Sequence, residues 1–101
     1  MKKRCIGVAG TIYSKTITNG TNPCACFVQI KEDGSLVIQT GACEIGQGSN
    51  TVISMMAAEY LGIPLEKVTI HSADTETTPY DIGSVSSRLT YVGGLAVMAA
   101  I

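Results

Sequence analysis

Two short apolar runs in the first half of the chain predict a β-hairpin. The first run spans Cys26 to Ile30 and the second spans Ser35 to Thr40, and both are rich in the β-branched and aromatic residues that favour strands. Between them lies Asp33-Gly34, a pair typical of tight turns because glycine accepts a positive φ. We therefore expect the two runs to pair antiparallel.

A three-and-four spacing of apolar residues predicts a helix from about Thr51 to Leu61. Its stripe of Val52, Met56 and Tyr60 is expected to pack on the sheet. Gly62 follows at the position where a left-handed residue commonly ends a helix. The pattern thus predicts that the hairpin is followed by one amphipathic helix.

The rest of the chain supplies a third strand and a second helix. The strand is predicted at Val68 to Ser72, a polar loop at Asp74 to Gly83, and a helix of small residues at Ser84 to Ile101. Residues 1–22 are predicted to be irregular, so the folded part covers residues 23–101. The order strand, strand, helix, strand, helix predicts an α+β fold.

Composition excludes two classes of partner. Charged residues make up 15% of the 101-residue chain, the net charge is −1, and basic residues cluster only at Lys2 to Arg4, so no nucleic-acid surface is expected. No stretch reaches the roughly 18 apolar residues of a membrane span. We therefore expect a soluble, cytoplasmic chain. Because 46% of its residues are hydrophobic, we expect a piece of a larger protein that self-associates through uncovered apolar faces.

The four cysteines do not form a recognisable metal or disulfide pattern. They are Cys5, Cys24, Cys26 and Cys43, whose spacing matches neither a zinc site nor an iron–sulfur site. We expect reduced, mostly buried thiols and no protein-ligated metal.

The segment between the second strand and the first helix is the first candidate binding site. Gly46, Gln47, Gly48 and Ser49 lead directly into the helix. Glycines let backbone N–H groups approach a ligand closely, and the first turn of a helix offers unpaired donors and a positive dipole end. These features favour an anion such as phosphate, although a tight structural turn has the same sequence.

A second candidate site opens the last predicted helix. It follows Gly83 and contains Ser84, Val85, Ser86, Ser87, Arg88 and Thr90. Hydroxyl groups and helix N–H groups suit phosphate oxygens, and an arginine can grip an anion bidentately. The alternative is a serine-capped helix with its arginine at the surface.

Four motifs in order resemble the molybdopterin-binding large subunit of the molybdenum hydroxylases. This family includes xanthine dehydrogenase, aldehyde oxidase, carbon monoxide dehydrogenase and nicotinate dehydrogenase. The motifs are Gly41 to Thr51, Ala57 to Pro64, Asp74 to Asp81 and Ser86 to Arg88. The resemblance covers nearly the whole chain.

The resemblance implies a cofactor role for both candidate sites. It assigns the Gly46-Gln47-Gly48 turn to the pyranopterin and the Ser84 to Thr90 segment to the pterin phosphates. Residues 23–101 would form part of the molybdopterin-binding domain, with the cofactor present as mononucleotide or cytosine dinucleotide. The intact enzyme would hydroxylate a heterocycle or an aldehyde, and its partners would be the rest of the subunit and iron–sulfur and flavin subunits or domains.

One departure limits what this chain does alone. The catalytic base of the family is a glutamate far downstream of the segments matched here, and Glu44 is not assigned that role. We therefore expect no catalytic residue in this chain and no molybdenum on it in isolation.

Two other classes remain open at this stage. One is a non-catalytic nucleotide-binding module, although the chain lacks a P-loop motif. The other is a hydrolase that pairs His71 with a serine, against which stands a partly exposed structural histidine on a strand.

Overall fold

A three-stranded sheet lies at the centre of the computed structural model, which describes residues 2–13 and 21–101. Its strands are β1 (Cys26–Ile30), β2 (Leu36–Thr40) and β3 (Val68–Ser72), with β2 in the middle. The pair β1–β2 is antiparallel and the pair β2–β3 is parallel. Parallel neighbours need a crossover, which the helix between them provides.

The predicted hairpin is confirmed. Ile30 pairs with Leu36, and the N–H of Gly34, at φ 75°, donates to the carbonyl of Lys31 at 2.9 Å. Asp33 Oδ1 accepts the Ser35 N–H at 2.9 Å, which closes the turn with a side chain that suits this position.

Helix α1 (Ser49–Leu61) crosses from β2 to β3 and ends as predicted. Gly62 has φ 66°, and its N–H bonds to the carbonyls of the last turn, while the N–H of Ile63 reaches back to Ala58. A short 3₁₀ turn (Leu65–Lys67) then leads into β3. The α+β fold and the predicted order of elements are confirmed.

The predicted packing stripe of α1 is wrong. Ile53 and Ala57 are fully buried, whereas Tyr60 is 59% exposed. Met56 instead meets the next helix, since a Cβ on Gly94 would lie 2.9 Å from its sulfur. The helix packs against both β3 and the second helix. The face that it buries is therefore centred on Ile53 and Ala57 and not on the predicted stripe.

The second helix begins later than predicted. A π-helical turn (Leu89–Gly93) continues into helix α2 (Gly94–Ala100), and neither includes Ser84. Ser86 and Ser87 have φ values of 52° and 50°, a left-handed backbone that no right-handed helix can contain. The five residues before Leu89 therefore form a bent segment.

The core lies between the sheet and the two helices. Its buried residues are Leu36, Ile38, Ala42, Ile53, Ala57, Leu89 and Val97. Outside it, Ile6, Val8 and Ile12 of the N-terminal segment are almost fully exposed, as are large parts of Phe27 and Tyr91. The expected exposure of apolar surface is confirmed, and self-association stays a prediction.

Residues 2–13 and 21–22 of the predicted irregular segment contain no helix or strand. The rest of that prediction, Met1 and residues 14–20, lies outside the described residues. All four cysteines are free; Cys5 is exposed and the others are half-buried, so the prediction of mostly buried thiols is wrong. Within the part of the chain described, the helices are too short to cross a lipid bilayer.

Candidate functional site

The turn between β2 and α1 is organised by the carboxylate of Glu44. Its Oε1 accepts the N–H of Gly46 at 2.8 Å and of Gly48 at 2.9 Å. Its Oε2 accepts the N–H of Asn50 at 3.1 Å and the hydroxyl of Ser49 at 3.2 Å. Gly48 is the N-cap of α1 and has no side chain with which to cap it. Glu44 therefore supplies, from outside the helix, the acceptor that an N-cap side chain normally provides.

These bonds lower the pKa of Glu44, and they contradict the prediction that the turn's backbone donors face a ligand. The N–H groups of Asn50 and Gly48 are the main cause of a pKa of about 2 for Glu44, well below its ordinary value of 4.5. The sequence predicted that the backbone donors of this turn face a ligand phosphate. In the structure, the donors of Gly46, Gly48 and Asn50 bind an internal carboxylate.

Gln47 ties the same turn together from its other side. Its Oε1 accepts the N–H of Ile45 at 2.6 Å. Its Nε2 donates to the carbonyl of Cys43 at 3.1 Å and to the hydroxyl of Ser49 at 3.0 Å. Gln47 is nevertheless an exposed residue.

The segment before Leu89 lies against this turn. The hydroxyl of Ser84 donates to the carbonyl of Cys43, which joins the two candidate sites directly. The N–H of Ser86 donates to the hydroxyl of Tyr13 at 2.8 Å. Within residues 2–13 and 21–101, the hydroxyls of Ser86, Ser87 and Thr90 have no hydrogen-bond partner and are available to a ligand.

A cavity of about 410 Å³ lies between the turn and this segment. It brings together eight of the ten residues predicted from sequence: Gln47, Ser49, Ser84, Val85, Ser86, Ser87, Arg88 and Thr90. Gly46 and Gly48 do not line it. The sequence missed Tyr13, Ile45, Val52 and Leu89, which also line the cavity. Val52 and Leu89 could have been predicted from the sequence, because Val52 lies three residues after Ser49 and Leu89 directly follows Arg88.

The sequence predicted that Arg88 would either grip an anion or lie at the surface, and its environment in the structure is different from both. It is 1% exposed, so it is not a surface residue. Its Nη1 lies 2.6 Å from Oδ1 of Asp81 and also donates to the carbonyl of Gly83. Its Nε and Nη2 donate to the Asn22 side chain and the Pro23 carbonyl. A bidentate grip on a phosphate would require exchange of these bonds, so we assign the guanidinium to holding the segment in place.

The position of His71 and the arrangement of metal-ligating residues bear on two other kinds of chemistry. His71 is exposed on β3 and is not among the residues that line the cavity. In the part of the chain that the structure describes, no cluster of three or more His, Cys, Asp or Glu residues is placed to hold a metal ion.

Comparison with known proteins identifies the family. The family model described as "molybdopterin cofactor-binding domain" matches residues 1–101. The putative xanthine dehydrogenase molybdenum-binding subunit of Escherichia coli K12 is 40% identical over 100 residues, which are 97% of this chain and 13% of that subunit. The carbon monoxide dehydrogenase large chain of Hydrogenophaga pseudoflava is 37% identical over 76 residues, or 75% of this chain and 10% of that one.

A solved structure shows the same fold. Quinoline 2-oxidoreductase from Pseudomonas putida 86 superposes with a TM-score of 0.77 at 27% identity, over 87% of this chain and 12% of that chain. The chain thus spans about a tenth to an eighth of the length of these proteins. It belongs to the family of molybdopterin cofactor-binding domains of the molybdenum hydroxylases.

Proposed function

We propose that this chain supplies part of the molybdenum–molybdopterin cofactor site of a molybdenum hydroxylase. The two segments that hold the pterin are Ile45 to Ser49 and Ser84 to Thr90. The observation that carries this proposal is the cavity of about 410 Å³ in which they meet, joined by the bond from Ser84 to Cys43. Its size lies within the usual range for small-molecule sites. Residues 23–101 form the part of the cofactor-binding domain that this chain provides.

The donor set fits a pterin with a phosphate extension. Hydroxyls, one amide and the Arg88 guanidinium line the cavity together with apolar side chains, and no carboxylate of the described residues lines it. The N–H groups of Gly83 and Ser86 bond Asp81 and Tyr13, so the donors that this segment offers to an anion are the hydroxyls of Ser86 and Ser87, two residues with positive φ values. Strained residues of this sort cluster at binding sites. A pterin brings its own metal ligands, so the absence of a metal-binding cluster among the described residues is compatible with it.

The chain's own residues bind and orient rather than react. When bound, the cofactor supplies the redox-active metal at which substrate is oxidised. Gln47 and Ser49 present polar groups on one wall of the cavity, and Ser86, Ser87 and Thr90 present hydroxyls on the other. Glu44 is unsuited to general-base catalysis, because a pKa of about 2 makes it a poor proton acceptor near neutral pH. The catalytic base comes from another part of the subunit.

The substrate class we propose is an aromatic heterocycle, with an aldehyde as the second possibility. The names of the xanthine dehydrogenase and quinoline oxidoreductase relatives support the first. Names that specify a subunit or a large chain support further subunits as partners. We propose iron–sulfur and flavin subunits or domains among them, since electrons must leave the cofactor. We further propose a cytoplasmic location, supported by the free thiols. The pterin is bound in its mononucleotide or its cytosine dinucleotide form.

The test compares hydrogen exchange in the enzyme assembled around this chain, with the cofactor loaded and after its removal. Loading should slow amide exchange in peptides covering residues 43–50 and 84–92. The hairpin turn at residues 31–35 should exchange equally in both forms, because it lies outside the cavity lining. Molybdenum and pterin content establish the loading. Equal exchange of both cavity segments in the two forms would refute the proposal.

A further inference from the structure

Glu44 lies in the turn between β2 and α1, residues 41–48, which we call the cofactor turn, but it does not line the cavity. Ile45, Gln47 and Ser49 line the cavity, whereas Glu44, Gly46 and Gly48 do not. The alternation follows from the hydrogen bonds, since the glycine N–H groups bind Glu44 while the intervening side chains are left to face the cavity. The glycine N–H groups of the turn are thus bonded to Glu44 of the chain itself.

We infer that Glu44 is the positioning residue of the cofactor turn, acting as an internal anion that sets the direction of Gln47 and Ser49 before the cofactor arrives. This inference rests on the proposed function. Two observations support it. The carboxylate engages four donors spread over five residues, so it fixes the whole turn rather than one bond. Ser49, which lines the cavity, bonds both Glu44 and Gln47.

The charge and the length of Glu44 both matter for this role. Each carboxylate oxygen accepts two donors, and all four bonds are stronger for being made to an ionised group. Glutamine at this position would replace one oxygen with an amide NH₂, which would then face N–H donors. Aspartate would keep the charge but is one methylene shorter, so it would lose part of the set. The expected order of turn stability is Glu, then Asp, then Gln.

The experiment combines amide exchange with cofactor content. Variants Glu44→Gln and Glu44→Asp are compared with the matched control Glu59→Gln, an exposed glutamate on α1. In the cofactor-free protein, Glu44→Gln should speed exchange of the residue 44–52 peptide by about tenfold, with Glu44→Asp in between. In the assembled enzyme, molybdenum and pterin content should fall severalfold in the same order. The control should change neither.

The outcomes separate this inference from the proposed function. If the wild type is loaded and Glu44→Gln leaves both exchange and cofactor content unchanged, the inference is overturned and the proposed function stands. Faster exchange with full cofactor content also overturns it, because the turn then needs no positioning for binding. If even the wild-type enzyme carries neither molybdenum nor pterin, the proposed function fails, and the exchange result alone shows whether Glu44 fixes the turn.

Discussion

The guanidinium of Arg88 and the carboxylate of Asp81 form an ion pair with both side chains fully enclosed, Nη1 lying 2.6 Å from Oδ1. The pair joins the loop after β3 to the cavity-lining segment. Asp81 Oδ1 also accepts the N–H of Gly83, so one oxygen holds both ends of the bend that carries Ser84 to Ser87. The cavity wall therefore depends on an interaction buried behind it.

Breaking this pair should destabilise the fold. Asp81→Asn keeps the shape of the side chain but leaves Arg88 buried without a charged partner, and we expect a loss of about 3–5 kcal/mol in the free energy of unfolding. Urea unfolding followed by circular dichroism measures it. The exposed Arg4→Ala should stay within about 0.5 kcal/mol of wild type. Equal stability of Asp81→Asn and wild type would contradict the structural role assigned to Arg88.

Gly41 is expected to tolerate no side chain. A Cβ at this position would lie 2.8 Å from Cβ and N of Asp81 and would also meet the carbonyl of Pro79. Gly41→Ala should therefore displace the loop and lower stability by about 1–3 kcal/mol, as overpacking commonly does. Gly10→Ala is the control, because a Cβ there would meet nothing within 4 Å. Unfolding curves that coincide for the two variants would show that this contact is absent in solution.

The buried face of α1 can be tested against the stripe that the sequence predicted. Ile53 is fully buried in the core, so Ile53→Ala should cost about 2–5 kcal/mol of stability. Tyr60 is 59% exposed, and Tyr60→Ala should cost far less. The free energies of unfolding of the two variants decide between the faces. A larger loss for Tyr60→Ala would restore the sequence-based orientation.

Acid should loosen the turn through Glu44. The pKa of Glu44 is lowered from its ordinary value of 4.5 to about 2 in the folded chain. The contribution of Glu44 to the free energy of unfolding is therefore fully present above pH 4.5 and is lost as the pH falls towards about 2. The stability difference between wild type and Glu44→Gln should therefore shrink across this range. Asp33 and Asp74, whose pKa values are also lowered, titrate in both proteins and cancel in the difference. A difference that stays constant from pH 5 to pH 2 would contradict this assignment.

The sequence predicted the elements of this fold well, because local chemistry marks their ends. Asp33-Gly34 and Gly62 have the turn geometry that their sequence indicates. The buried face of α1 was not predictable in this way, since Ala57 contributes little to an apolar pattern yet is fully enclosed by neighbours distant in sequence.

The sequence predicted most residues of the candidate site but not the hydrogen bonds and the ion pair that hold them in place. Arg88 looked like an anion ligand because sequence does not show that Asp81, seven residues earlier, folds back onto it. Glu44 did carry a local signal that was missed. An acidic residue close to a helix N-terminus that lacks a capping side chain is a natural partner for the free N–H groups there.

The most direct test of the cofactor assignment is molybdenum and pterin content per subunit in a Gln47→Ala variant of the assembled enzyme. Gln47 lines the cavity and orders its turn, so removing its amide should reduce cofactor retention severalfold or more, with little change in substrate preference. Gln29→Ala is the control, because this glutamine is exposed on β1 and does not line the cavity. The account predicts cofactor loss in Gln47→Ala alone. Full loading with normal turnover in that variant would contradict it.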